Sequence, residues 1–206
     1  MLSGRRYDPV KRVIDVVVGG AALVLSLPLQ LVLAVLVRRK LGSPVVFRQH
    51  RPGKDEMVFE MLKFRTMVDP DPARGLVSDD ERMTPFGARL RSTSLDELPS
   101  LWSVVRGEMS LVGPRPLLVR YLDRYSPEQR RRQEVRPGIT GLAQVSGRNA
   151  IAWDDKLAMD VEYVDRRSLA LDILIMVRTL GHVIGRRGIS AEGSATMPEF
   201  HGSRDG

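Results

Sequence analysis

An uncharged apolar run from Val16 to Val37, 22 positions long, limits this chain more than any other feature. Roughly 20 helical residues cross a hydrocarbon core, so the run is long enough to enter a bilayer. A secretory signal fits poorly, because the run is too long and Arg38-Arg39-Lys40 follow it in place of a small-residue cleavage site. Two details argue against a plain span. Pro28 lies mid-run, lacks an N–H for the helix ladder and crowds the carbonyl four residues back. The Ser26 hydroxyl is near enough to satisfy a backbone group so freed. Basic residues also flank both ends, Lys11 and Arg12 before and Arg38, Arg39 and Lys40 after, so the positive-inside rule picks no direction. Three shapes stay open: a spanning helix kinked at Pro28, a helix that turns there and leaves by the face it entered, and a buried core helix. Asp15, at the edge of the run, is spaced to pair with Lys11 or Arg12, or to be solvated among headgroups.

The formal charge of +7 and a pI near 10.2 imply anionic partners: nucleic acid, anionic lipid or phosphorylated substrates. The absence of cysteine excludes disulfides, thiolate nucleophiles and cysteine–zinc sites. His50, His182 and His201 are too scattered to suggest a metal cluster. A length of 206 residues allows one domain, or one with a small appendage, and aromatics at 5% predict an aliphatic core.

Past Leu41 the pattern is that of a folded domain. Val45-Val46-Phe47 and Met57 to Phe64 read as strands of a hairpin around the Arg51-Pro52-Gly53-Lys54 turn. Asp69 to Ser78 reads as an exposed loop, Arg82 to Leu90 as a short helix, and Met109 to Val112 as a short strand. Arg120 to Arg136 reads as one charged helix with a solvated or headgroup-facing surface. The glycines of Gly138-Ile139-Thr140-Gly141 permit close backbone approach to a ligand. Leu169 to Ile184 is amphipathic, with Asp172, Arg178, Thr179 and His182 in one sector. It suits core packing, the preferred reading, or the membrane interface. Ser190 to Gly206 is a polar tail.

The stretch from Arg91 to Pro116 carries the chemistry. Ser94-Leu95-Asp96-Glu97 matches a capping box, the plain structural role for Glu97. Pro99 fits a helix start better if Asp96 is the cap. Either way both carboxylates lie at the positive end of a helix, which also favours bound phosphate. In Gly113-Pro114-Arg115-Pro116 two prolines stiffen the backbone around a guanidinium whose flat fork matches phosphate oxygens. Taken alone, that tetrapeptide is a proline-rich turn with a solvated arginine.

Several motifs occur together in one order: Lys11-Arg12 with Asp15, the Ser26/Pro28 break, Lys63-Phe64-Arg65-Thr66-Met67, Arg91 with Ser94 to Pro99, Gly113 to Pro116, and Pro137 to Gly141. From about Arg6 to Gly202 the chain resembles the bacterial sugar transferases. More narrowly, it resembles the small monotopic phosphoglycosyl transferases, among them the undecaprenyl-phosphate galactose- and bacillosamine-phosphate transferases. The resemblance implies transfer of sugar-1-phosphate from a UDP-sugar to polyprenyl phosphate, with release of UMP and a magnesium ion in attendance. Asp96 would be the covalent nucleophile and Glu97 its partner in proton movement, both able to ligate the Mg2+. Arg115 would contact the diphosphate or nucleotide, with Arg91, Arg148, Lys63 and Arg65 as further substrate-binding candidates.

The resemblance also implies an α/β, helix-rich catalytic domain with an N-terminal re-entrant membrane helix and interfacial amphipathic helices. The expected division is a membrane hairpin over 1–40, a catalytic domain over 41–190 and a tail over 191–206. The protein would lie on the cytoplasmic face of a bacterial inner membrane, touching lipid, with a homodimer left open and no nucleic-acid partner. One departure is that Leu27 separates Ser26 from Pro28, where family members often have serine and proline adjacent. The ending, with Thr196-Met197-Pro198-Glu199-Phe200, is similar to that of short acetamidosugar-phosphate transferases and tilts the donor toward a UDP-acetamidosugar.

Rival functions fit less well. A membrane-tethered basic protein binding nucleic acid or anionic lipid matches the charge but leaves the acid pair unused. Glycoside hydrolysis needs carboxyls roughly 5 Å or more apart across a sugar bond. Neighbours on a helix diverge by about 100°, so Asp96 and Glu97 would not flank one.

Overall fold

Helix α1 (Asp8–Leu41) dominates the computed structural model, which describes residues 4–147, 151–185 and 199–202. A hairpin follows, β1 (Val46–Pro52) and β2 (Val58–Phe64). Next come α2 (Asp79–Arg82), α3 (Pro85–Ser92) and a 3₁₀ segment, Leu95–Ser100, that runs directly into α4 (Leu101–Arg106). Strand β3 (Ser110–Val112), α5 (Pro127–Arg130), β4 (Gly138–Thr140) and α6 (Leu142–Ser146) lead to α7 (Trp153–Arg166) and α8 (Leu169–Gly185). The result is a helix-rich mixed fold with two small sheets.

Local chemistry explains the limits of α1. Pro9 lies in the first turn, where no N–H is lost, and Asp8 favours the positive end. Arg38, Arg39 and Lys40 occupy the last turn, and Gly42, at φ 82°, closes it by donating its N–H to Arg38 O. Between these limits the helix runs on through Pro28. Ser26 Oγ donates to Leu23 O at 3.1 Å, not to the Val24 carbonyl that Pro28 leaves without its helical donor.

The two ends of α1 are bound to the same body. Near the start, Arg12 donates to Val104 O and Val105 O at 2.7 and 2.8 Å, satisfying carbonyls at the end of α4. Asp15 Oδ1 accepts from Ser110 Oγ and from the Leu111 N–H, both at 3.0 Å. Lys11 Nζ lies 2.5 Å from Asp172 and only 4.0 Å from Asp15. The expected local pair of Asp15 with Lys11 thus forms only at 4.0 Å, with closer bonds to β3 added to it, and burial of Asp15 excludes solvation among headgroups. Near the far end, Leu33, Val37 and Leu41 pack with Phe64 and Leu90, with Leu95 and Leu98 against them. The middle is bare: Val24, Leu25, Leu27, Leu29, Leu31 and Val32 are exposed, Leu25 at 81%. A stripped apolar face of this size is unfavourable in water and suits association with a membrane. Such exposure also removes the buried core helix from the three shapes.

The expected hairpin forms, with Val46 opposite Phe64 and Pro52 opposite Val58, but β1 runs on through Arg51 and Pro52, which the sequence pattern assigns to the turn. Strands β3 and β4 pair in parallel, Ser110 with Gly138 and Val112 with Thr140. A Cβ on Gly138 would lie 2.1 Å from Gly113 N, and one on Gly141 2.2 Å from Gly113 O. These glycines thus serve an approach between two backbones.

Two further expectations are corrected. Arg120 to Arg136 is not one helix: Pro127 restarts the chain at the first turn of α5, capped by Ser126 and Gln129, with 3₁₀ turns on either side. Nor is it wholly solvated, since Arg132 is 2% exposed and bonds Asp160 twice. In α8 the polar sector partly faces inward. Asp172 is buried and accepts from Tyr7, Lys11 and Tyr163, and Thr179 bonds Thr140, while Ile173, Leu174, Val177 and Leu180 are exposed. The core is mainly aliphatic, and four aromatics, Tyr121, Tyr125, Trp153 and Phe200, gather in one cluster of it.

Candidate active site

Asp96 and Glu97 lie on the 3₁₀ segment between α3 and α4. The chain enters it through Ser94 in left-handed geometry (φ 55°, ψ 16°), an uncommon conformation for a residue with a Cβ. Ser94 makes no side-chain cap, and α4 is led by Ser100, so neither expected capping role is observed. The two carboxylates are not spent on backbone N–H groups. Leu95 and Leu98 pack toward Leu33, Val37 and Leu41 of α1, and Ser100 Oγ donates to Leu62 O at 2.7 Å. Membrane helix and β2 hold the acid pair from two directions.

Glu97 Oε1 accepts from Lys63 Nζ at 2.6 Å and from an Arg115 guanidinium N–H at 2.8 Å. Burial by itself would raise its pKa, but Arg115 and Lys63 outweigh it and hold Glu97 well below the usual carboxylate range. Asp96, 7% exposed, goes the other way. Burial and the Glu97 charge outweigh Lys63, Arg115 and Arg91 and push it up to about 6. Two adjacent carboxylates are thereby driven apart: Glu97 is a fixed anion that orders cations, and Asp96 is a more basic group still ionised at neutral pH.

Arg115 is half-exposed while its partner Glu97 is largely covered. Its carbonyl accepts from the buried Arg132 guanidinium at 2.6 Å, which ties the Pro-Arg-Pro turn to Asp160 of α7. Arg91, on α3, donates to Thr66 Oγ1 at 3.0 Å and interacts electrostatically with both Asp96 and Glu97. Lys63, Arg91 and Arg115 are therefore brought to the acid pair. Arg65 has other work: its guanidinium donates to Leu41 O and Ser43 O just past α1, and pairs with Asp69 at 3.3 Å. Arg148 lies outside the described residues.

Two cations have no counterpart among the sequence candidates. Arg51, which reads in sequence as a turn residue, belongs to β1, and burial and Arg115 bring its pKa down to about 10. Lys156 on α7 is brought down to about 8 by burial and by Arg115. The usable signal for Arg51 is strand alternation, which turns Gln49 and Arg51 to one face and His50 to the other. Nothing local in sequence marks Lys156.

Among the described residues no group of three or more His, Cys, Asp or Glu side chains could hold a metal ion. A magnesium site made wholly of protein is thus not formed there. Asp96 and the second oxygen of Glu97 do fit an ion that takes one or two carboxylates and completes its shell with substrate phosphate and water.

Buried acid, ordered cations and an apolar helix in direct contact define an enzyme of group transfer at a membrane surface. The chain belongs to the bacterial sugar transferase family, whose model matches residues 6–186. It is 48% identical over 171 residues to the uncharacterized sugar transferase EpsL of Bacillus subtilis (strain 168), covering 82% of this chain and 85% of that protein. It is 41% identical over 185 residues to the UDP-glucose:undecaprenyl-phosphate glucose-1-phosphate transferase of Caulobacter vibrioides (strain ATCC 19089 / CIP 103742 / CB 15), covering 84% and 69%. With the UDP-galactose-lipid carrier transferase of Erwinia amylovora it shares 40% identity over 197 residues, covering 87% of this chain but 41% of that longer protein.

Proposed function

We propose that this protein transfers sugar-1-phosphate from a UDP-sugar to polyprenyl phosphate at the membrane, releasing UMP, as a phosphoglycosyl transferase. The observation that carries this reading is the separation of the acid pair: Glu97 ordered by Lys63 and Arg115, Asp96 buried beside it and basic. In the first step an Asp96 carboxylate oxygen attacks the phosphorus that bears the sugar. An Asp96–phosphosugar bond forms, the bond to the UMP oxygen breaks, and UMP departs with the electron pair. In the second step an oxygen of polyprenyl phosphate attacks the same phosphorus. The polyprenyl-diphosphate sugar forms and Asp96 leaves as a carboxylate. Splitting the transfer lets a soluble donor and a membrane-bound acceptor use one carboxylate in turn. Arg115, Lys63 and Arg91 offset the charge of the phosphates. A magnesium ion held by Asp96 and Glu97 would supply further neutralisation of that charge when bound.

The topology we propose is re-entrant, on the cytoplasmic face. One body grips α1 at Arg12 and Asp15 and again at Leu33, Val37 and Leu41, which supports entry and exit by the same side. The exposed apolar residues of α8 would lie in the same interface. The donor reading toward a UDP-acetamidosugar rests only on the chain ending. The test of the reaction is UMP release from a panel of UDP-sugars with and without polyprenyl phosphate. Donor alone should give a phosphosugar adduct by intact mass, absent in Asp96→Asn. Full turnover by Asp96→Asn would end the mechanism.

A further inference from the structure

Arg51 is a charged side chain that the reaction above does not use. One of its terminal N–H groups donates to Gln49 Oε1 at 2.6 Å, while its Nε is buried and bonds nothing among the described residues. Its electrostatic neighbours are Arg115, Tyr121 and Tyr125, with no carboxylate among them. A desolvated guanidinium that feels a like charge and leaves a donor unmade costs stability. Lys156 interacts with Arg115 as well, and with Asp160. The nearby carboxylates are largely committed: Glu97 Oε1 is shared by Lys63 and Arg115, and Asp160 accepts twice from Arg132. Positive charge is in excess beside the acid pair, and it is concentrated around Arg115.

We propose that Arg51 is a phosphate-binding residue of this site, its guanidinium forming with that of Arg115 a two-arginine clamp on a phosphate group. The inference rests on the transferase reading above and adds a named contact to it. The chemistry recognised is a phosphate monoanion or dianion, which the reaction offers twice: as the UMP leaving group and as the polyprenyl phosphate headgroup.

The experiment uses the full membrane-bound protein and the variants Arg51→Gln and Arg51→Lys. UMP binding is measured by calorimetry, KM is measured separately for donor and acceptor, and melting temperature is recorded in the same micelles. If the nucleotide phosphate is the occupant, Arg51→Gln weakens UMP binding and raises donor KM by about tenfold or more, as expected for a charge-assisted bond, with acceptor KM unchanged. If the lipid phosphate is the occupant, acceptor KM rises by a similar factor and UMP binding is unchanged. Arg51→Lys, which keeps the charge and loses the fork, should fall between wild type and Arg51→Gln in either case. The inference is overturned if neither KM moves, or if Arg51→Lys matches wild type in both KM values while Arg51→Gln merely lowers the melting temperature. A separate arm measures inorganic pyrophosphate binding. Weaker binding in Arg51→Gln, with no UMP release by wild type from any UDP-sugar, would keep the clamp and discard the transferase reading.

Discussion

Asp96 should make the protein less stable than it would be without the charge. A carboxyl that titrates near 6 in the fold, against an ordinary value of 3.8, is held in a place that disfavours its ionised form. At about 1.4 kcal/mol per factor of ten in acidity, the fully ionised group costs as much as about 3 kcal/mol of folding stability. The sign follows from the raised pKa. Stability contributed by the protonated form is present below about pH 4 and is lost as pH rises through about 6. Asp96→Asn keeps the shape and removes the charge, so the variant should equal wild type near pH 4 and exceed it at pH 7.5. For a chain of this size 1 kcal/mol moves a melting temperature by about 2–4 °C, which puts the gap at up to about 6–12 °C. Thermal unfolding of both proteins in one detergent, across that pH range, reads it directly. The variant should also lack turnover, so stability and activity move in opposite directions. Parallel curves with no pH-dependent gap would refute the claim that burial and Glu97 raise Asp96.

The acid limb of kcat/KM should fall near pH 6, and Glu97→Gln should move it to lower pH, because the like charge is gone and Lys63 and Arg115 remain; a limb that stays put would detach Glu97 from Asp96. Arg132→Met should lower stability by about 3–5 kcal/mol by stranding buried Asp160, and Arg132→Met with Asp160→Leu should recover most of it in urea unfolding. Gly138→Ala should cost more than about 1 kcal/mol, since its Cβ would lie 2.1 Å from Gly113 N. Gly20→Ala, with open space around it in α1, should be neutral or stabilising by up to about 1 kcal/mol in the same melting assay.

What the residues disclose in sequence depends on whether their partners are local. The hairpin is readable because alternation and the Gly53-Lys54 turn lie within one short stretch. Lys63, Arg91 and Arg115 can be named as candidates because each stands in a recognisable motif around the acid pair. The roles of Lys11, Arg12 and Asp15 are hidden because their partners, Asp172, Val104 and Ser110, are 161, 92 and 95 positions away. Arg65 and Arg132 resemble substrate-facing or surface charge in sequence because a guanidinium that caps carbonyls has the same signature as a solvated one. The capping box of Ser94 and Glu97 fails for a related reason. Two long-range cations take the glutamate, and a left-handed turn takes the serine.

To free such an enzyme from lipid, helix α1 is the obvious segment to cut away. Here that excision would strip Leu33, Val37 and Leu41 from beneath Leu95 and Leu98, and Arg12 and Asp15 from α4 and β3. The segment carrying the acid pair would lose its floor, and the strand leading to Arg115 would lose a brace. The helix that meets the lipid is therefore also part of the catalytic architecture, and a remnant without it would lack contacts that hold the acid pair.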